Sequence, residues 1–75
     1  MVEPDVIAIR GDMIRLGQFL KFAGFAESGA EAGAIIAEGD VLVDGEVETR
    51  RGRQLHRGAI VEVRAPQGTF TAQVG

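Results

Sequence analysis

The stretch SGAEAGAIIAEGDVLVDGEVET, residues 28–49, changes its period half-way along. Ser28 followed three residues later by Glu31 reads as a capping box, in which hydroxyl and carboxylate each satisfy an orphan backbone donor. Ala32, Ile35 and Ile36 then recur at helical spacing and predict a buried stripe, and Gly39 predicts the stop. Gly29 and Gly33 weaken such a helix by roughly 1 kcal/mol each relative to alanine, so it needs a packing partner. From Val41 onward two short apolar runs flank Asp44-Gly45. Aspartate and glycine both tolerate positive φ, which a two-residue hairpin demands at its centre. A helix running straight into a hairpin sets the class as α+β.

Working back toward the N-terminus, "GD" at 11–12 predicts the start of a first helix with Asp12 as N-cap. Leu16, Phe19, Leu20 and Ala23 share one face, and Gly24 is the expected stop. Arg15, Gln18 and Lys21 fall together on the opposite edge, with Phe22 between Arg15 and Gln18 on the wheel. A short strand is expected before this helix, at Val6–Ile9. Phe22 is expected to pack against it, the alternative being a stacking face for an unpaired base, and Phe25 and Phe70 are assigned to the core. Working forward, Ile60–Arg64 and Thr69–Val74 read as strands joined by the APQG turn. Between the hairpin and these strands lies TRRGRQLHRG, residues 49–58, read as a loop anchored by Leu55.

At 75 residues the chain is expected to form one domain spanning 1–75, near the lower limit for a core without staples. It has no cysteine, which excludes disulfide and thiolate-metal frameworks and is compatible with a cytoplasmic location. No apolar run is long enough to span a bilayer, and the acidic N-terminus is the reverse of a secretory signal. Charge is unevenly placed. Residues 1–48 carry Arg10, Arg15 and Lys21 against ten acidic side chains, whereas 49–75 carry five arginines against Glu62 alone. The formal net charge of −3 therefore understates the positive field that part of the surface presents to a polyanion.

The order of these residues resembles a known family. Arg15-Leu16 at the entry to the first helix, Gly24 with Ser28 between helices, Ala32 with Ile36, Gly39, Val41, Val43 and Asp44-Gly45 follow its pattern. That family is the small RNA-binding domain named after ribosomal protein S-four, and the likeness is to its short, stand-alone bacterial members. It covers about residues 14–63. The resemblance implies an αL-type fold, two packed helices against a small, mainly antiparallel sheet, and binding of structured RNA such as rRNA or a tRNA-like element. It places the RNA face on the start of helix one, the exposed side of helix two and the adjoining β-loop. Arg15, Lys21, Arg50, Arg51 and Arg53 occupy matching positions. Members commonly carry Lys or Arg where this chain has Gly29 and Gly33, so helix two lacks those cations here.

The residues also bear a plainer reading. Arginine's planar fork suits phosphate oxygens, and five contacts from Arg15, Arg50, Arg51, Arg53 and Arg57 would give a log–log salt slope of roughly −3.5 to −4.5. Alternatively the loop is merely solvated, its arginines paired with Glu46, Glu48 or Glu62 for about 0–1 kcal/mol each. His56 joins the RNA candidates, the plainer reading being a polar loop residue. No second histidine accompanies it, so no metal site is expected. The acidic residues Glu27, Glu31, Glu38 and Asp40 read as a solvated face, or as the docking face of an adaptor for a basic partner such as a ribosomal protein. Ser28 is used as a cap, and there is neither a nucleophile–histidine set nor a phosphate-cradling loop before a helix. No cofactor, membrane contact or catalysis is expected.

Overall fold

The computed structural model describes residues 5–75, so residues 1–4 of the expected domain lie outside it. Along the chain run β1 (Asp5–Ile7), β2 (Met13–Arg15), α1 (Leu16–Phe22), α2 (Gly29–Ala37), β3 (Val41–Val43), β4 (Glu46–Val47), β5 (Gln54–His56), β6 (Ile60–Ala65) and β7 (Gly68–Val74). The helices pack against a five-stranded sheet of order β1-β7-β6-β3-β4. Its first and last strands in sequence, β1 and β7, run parallel, and the other neighbours are antiparallel. β2 and β5 form a separate antiparallel ladder. This is the α+β, mainly antiparallel arrangement that the family resemblance implies.

Local chemistry accounts for most boundaries. Ser28 Oγ accepts from the backbone N–H of Glu31 at 3.1 Å and opens α2, although among the described residues only that half of the capping box forms. Asp44 and Gly45 take φ of 51° and 87°, the two positive values of a type I′ turn. Asp44 does a second job. Its backbone N–H donates to Ile60 O at 2.8 Å and its Oδ1 accepts from Ile60 N at 2.9 Å, tying the hairpin tip to the start of β6.

The core is continuous from helices to sheet. Leu16, Phe19 and Leu20 of α1 and Ala32 and Ile36 of α2 meet Val41 and Val43 of β3, Val61 and Val63 of β6, and Ala72 and Val74 of β7. In β6 alternate residues are buried, as a sheet with one covered face requires. Register keeps the apolar residues opposite one another: Val43 faces Val61, and Val61 faces Ala72.

Several expectations are corrected. The first helix does not start after Asp12. Met13–Arg15 is a strand, because its backbone finds partners in Gln54–His56, and Asp12 pairs with Arg57 instead of capping. The same pairing makes the second half of the arginine-rich stretch a strand rather than a loop. The N-terminal strand ends at Ile7, two residues early. Phe22 is 62% exposed and does not belong to the core. Phe70 is also partly exposed, packing its ring against half-buried Phe25 at a centroid distance of 6.2 Å.

Gly33 sits in mid-helix with ordinary contact distance available for a methyl group, 3.6 Å from Arg51 Cδ. Gly33→Ala should therefore stabilise the fold by about 0.5–1 kcal/mol. Thermal melts should show Tm higher by about 2–8 °C, as expected for a domain of this size.

Candidate nucleic-acid interface

The first N–H groups of an α-helix have no partner inside the helix. In α1 they are satisfied from far along the chain: Leu16 N donates to Arg53 O at 2.8 Å, and Gly17 N donates to Arg51 O at 2.9 Å. Between them, Arg15 Nη1 donates to Gly52 O at 2.8 Å. Three successive carbonyls of the arginine-rich loop are thus committed to the entrance of α1. The approach at Gly17 is close: a Cβ there would stand 3.4 Å from Arg51 Cβ and 3.5 Å from Arg51 O.

The docked loop puts Arg51 against the second helix. Its Cδ passes 3.6 Å, and its Nη1 4.0 Å, from the place a Gly33 side chain would begin. Arg51 then shares one groove with Arg15, Gln18 and Lys21 across a floor of small residues at Gly17, Gly29 and Gly52. Among the described residues Arg15, Lys21 and Arg51 form no ion pair with a carboxylate. Three cations without a paired carboxylate around a glycine-lined hollow make this a locally positive part of the surface. Where the family resemblance leads one to expect cations on helix two, this chain has Gly29 and Gly33, and a cation from the loop, Arg51, lies beside Gly33 instead.

Glu48 holds the near side of that loop. It is only 6% exposed. Its Oε2 accepts from Arg50 Nε at 3.1 Å and its Oε1 from Arg50 Nη2 and Arg53 Nη1, both at 3.0 Å. Oε2 also accepts from the Arg50 backbone at 3.1 Å. The Arg50 side-chain hydrogen bonds hold the Glu48 carboxyl down at about pH 2, against the opposing effect of burial and with Arg53 assisting. Arg50 remains largely exposed, so it keeps donors free for a further partner.

The sequence-predicted residues therefore divide. Arg15, Lys21 and Arg51 converge on the groove, and Arg50 and Arg53 flank it as a pair clamped by Glu48. His56 and Arg57 line a different hollow along β5, which Arg53 also borders. There Arg57 pairs with Asp12 at 3.1 Å, and His56 Nδ1 donates to the Asp12 carbonyl at 3.1 Å. Glu48 figured in the sequence only as a solvated partner, and its burial follows from packing that no local pattern reveals. Gln18 was visible on the same helix edge as Arg15 and Lys21. The groove glycines carried no local signal beyond their cost to the helices.

Comparison with known proteins fits this geometry. The S4 domain family model matches residues 7–71. The chain belongs to the S4 domain family. A Bacillus subtilis relative named "Probable ribosome maturation protein RlbA" is 47% identical over 57 residues, covering 76% of this chain and 80% of that protein. An Escherichia coli relative named "Putative RNA-binding protein YbcJ" is 48% identical over 48 residues, covering 64% of this chain and 69% of the relative. The solution structure of YbcJ, described as revealing an ALFAL motif involved in RNA binding, superposes with a TM-score of 0.69 at 35% identity. That match covers 99% of this S4-domain chain and 90% of YbcJ. These relatives give no support to the alternative of an adaptor working through the acidic face. No described helix is long and apolar enough to cross a membrane.

Replacing Glu48 tests the clamp. Glu48→Gln keeps the shape but loses the charge, and should destabilise the fold by about 1–3 kcal/mol at neutral pH. Because the native carboxyl titrates below its ordinary value of 4.5, its contribution is fully present above that pH and is lost as pH falls toward about 2. Urea melts of wild type and variant should differ at neutral pH and converge across that interval.

Proposed function

We propose that this protein is a non-catalytic, cytoplasmic RNA-binding module that grips a structured RNA of the ribosomal or tRNA-like class. The observation that carries the reading is the convergence of Arg15, Lys21 and Arg51 on one glycine-floored groove with no carboxylate paired to them among the described residues. Arg50 and Arg53 extend the positive edge, together contributing a net charge of +1 once Glu48 is counted. Backbone hydrogen bonds tie the loop to the entrance of α1, so the cations are gathered before RNA arrives and less backbone ordering is lost on binding. Folded RNA is read mainly through shape and phosphate contacts, which suits a surface of this kind. The name of the Bacillus subtilis relative favours an RNA of the maturing ribosome as the partner.

In this reading His56 and Arg57 are peripheral, since they occupy another hollow and Arg57 is already paired. Three principal phosphate contacts replace the five counted along the sequence.

Fluorescence-polarisation titrations with a folded ribosomal RNA fragment over a series of salt concentrations test this. The log–log slope should be roughly −2 to −3, at about 0.7–0.9 per phosphate. Arg15→Ala and Arg51→Ala should each flatten it by about 1, while Arg57→Ala leaves it unchanged. Binding that ignores both salt and the Arg51 substitution would overturn the proposal.

A further inference from the structure

Phe22 is 62% exposed at the C-terminal end of α1, although the chain has only four phenylalanines with which to build its core. The core beneath the helix is already filled by Leu16, Phe19 and Leu20, each fully buried, so Phe22 is not needed there. It forms a shallow hollow with Ile9, Arg10, Met13, Ile14 and Gln18. Met13 is itself 37% exposed, which leaves an apolar patch on a surface otherwise rich in charge.

Its position gives the patch a direction. Gln18 lines both this hollow and the cationic groove, so the two are neighbours across one side chain. Gln18 Oε1 faces the Arg15 backbone N–H at 3.4 Å, which leaves the amide N–H₂ available as a donor. Arg10 borders the hollow on its other side and forms no ion pair among the described residues. An aromatic face, an amide donor and an arginine set beside a phosphate-binding groove match an unpaired nucleotide. The ring takes the base, the amide meets its edge, and the cations hold the phosphates on either side.

We propose that Phe22 is a stacking platform for one unpaired base of the RNA held in the Arg15–Lys21–Arg51 groove. The proposal rests on the RNA-binding reading above and adds selectivity to it. The protein prefers a helix interrupted by a bulged or looped-out nucleotide over a continuous duplex. The groove supplies affinity for both; Phe22 supplies the difference.

Two hairpin RNAs test this with the full chain, one carrying a single unpaired adenosine in its stem and the other fully paired. Wild type should bind the bulged RNA about tenfold more tightly, the lower-middle range for one base–aromatic stack. Phe22→Ala should abolish that preference and leave affinity for the paired RNA unchanged. Phe22→Tyr should retain the preference, and Phe22→Leu, apolar but without an aromatic face, should lose it. With 2-aminopurine in place of the adenosine, binding should alter its fluorescence in wild type and the Tyr variant only. The proposal falls if wild type binds both RNAs equally through salt-dependent contacts, a result that leaves the groove reading intact. It also falls if Phe22→Leu keeps the preference, or if Phe22→Ala only dissolves a dimer seen by sedimentation, which would make the patch a contact between copies. If wild type binds neither RNA, both readings fall.

Discussion

The structure hangs on the entrance of α1, where the carbonyls of Arg53 and Arg51 accept from the unpaired N–H groups of Leu16 and Gly17. A helix of seven residues is too short to stand alone, and its first turn is completed by a segment more than thirty residues away in sequence. The same bonds fix the loop. With its carbonyls held against the helix and Leu55 buried just beyond, the backbone of the arginine-rich segment has one path across the surface. One cap therefore stabilises the helix and assembles the cationic surface.

Electrostatics then sorts the cations that the cap has gathered. A buried carboxylate is tolerated only where charged donors replace its lost water, and Glu48 obtains them from Arg50 and Arg53. That clamp removes part of the positive charge from the loop while securing its near end. Asp12 does the same to Arg57 at the far end. What is left uncompensated is the middle of the surface: Arg15, Lys21 and Arg51. The acidic balance of the whole chain is consistent with a local basic groove because, among the described residues, no carboxylate pairs with these three cations.

Much of the frame was legible locally. The helix stop at Gly39 and the Asp44-Gly45 turn depend on φ preferences that short segments express by themselves, and the Ser28 cap on a bond spanning three residues. The alternation of Val61 and Val63 in β6 and of Ala72 and Val74 in β7 likewise follows from a period of two with one covered face. Met13–Arg15 was not legible: three residues carry no reliable period, and they become a strand only because Gln54–His56 lies alongside. Phe22 misled for a related reason. An apolar side chain on a helix signals the core only when its face is turned inward, and the inward face was already full.

The sequence by itself determined the family-like frame: two helices, their stops, the hairpin and an arginine-rich segment after it. These are set by contacts within a few residues, so the order of amino acids specifies them directly. Which arginines remain available, why Gly29 and Gly33 belong beside a binding groove, and where Phe22 points were decided by the tertiary structure. Each depends on groups brought together from distant parts of the chain, where burial and ion pairing, not the count of charges, set what a side chain has left to offer.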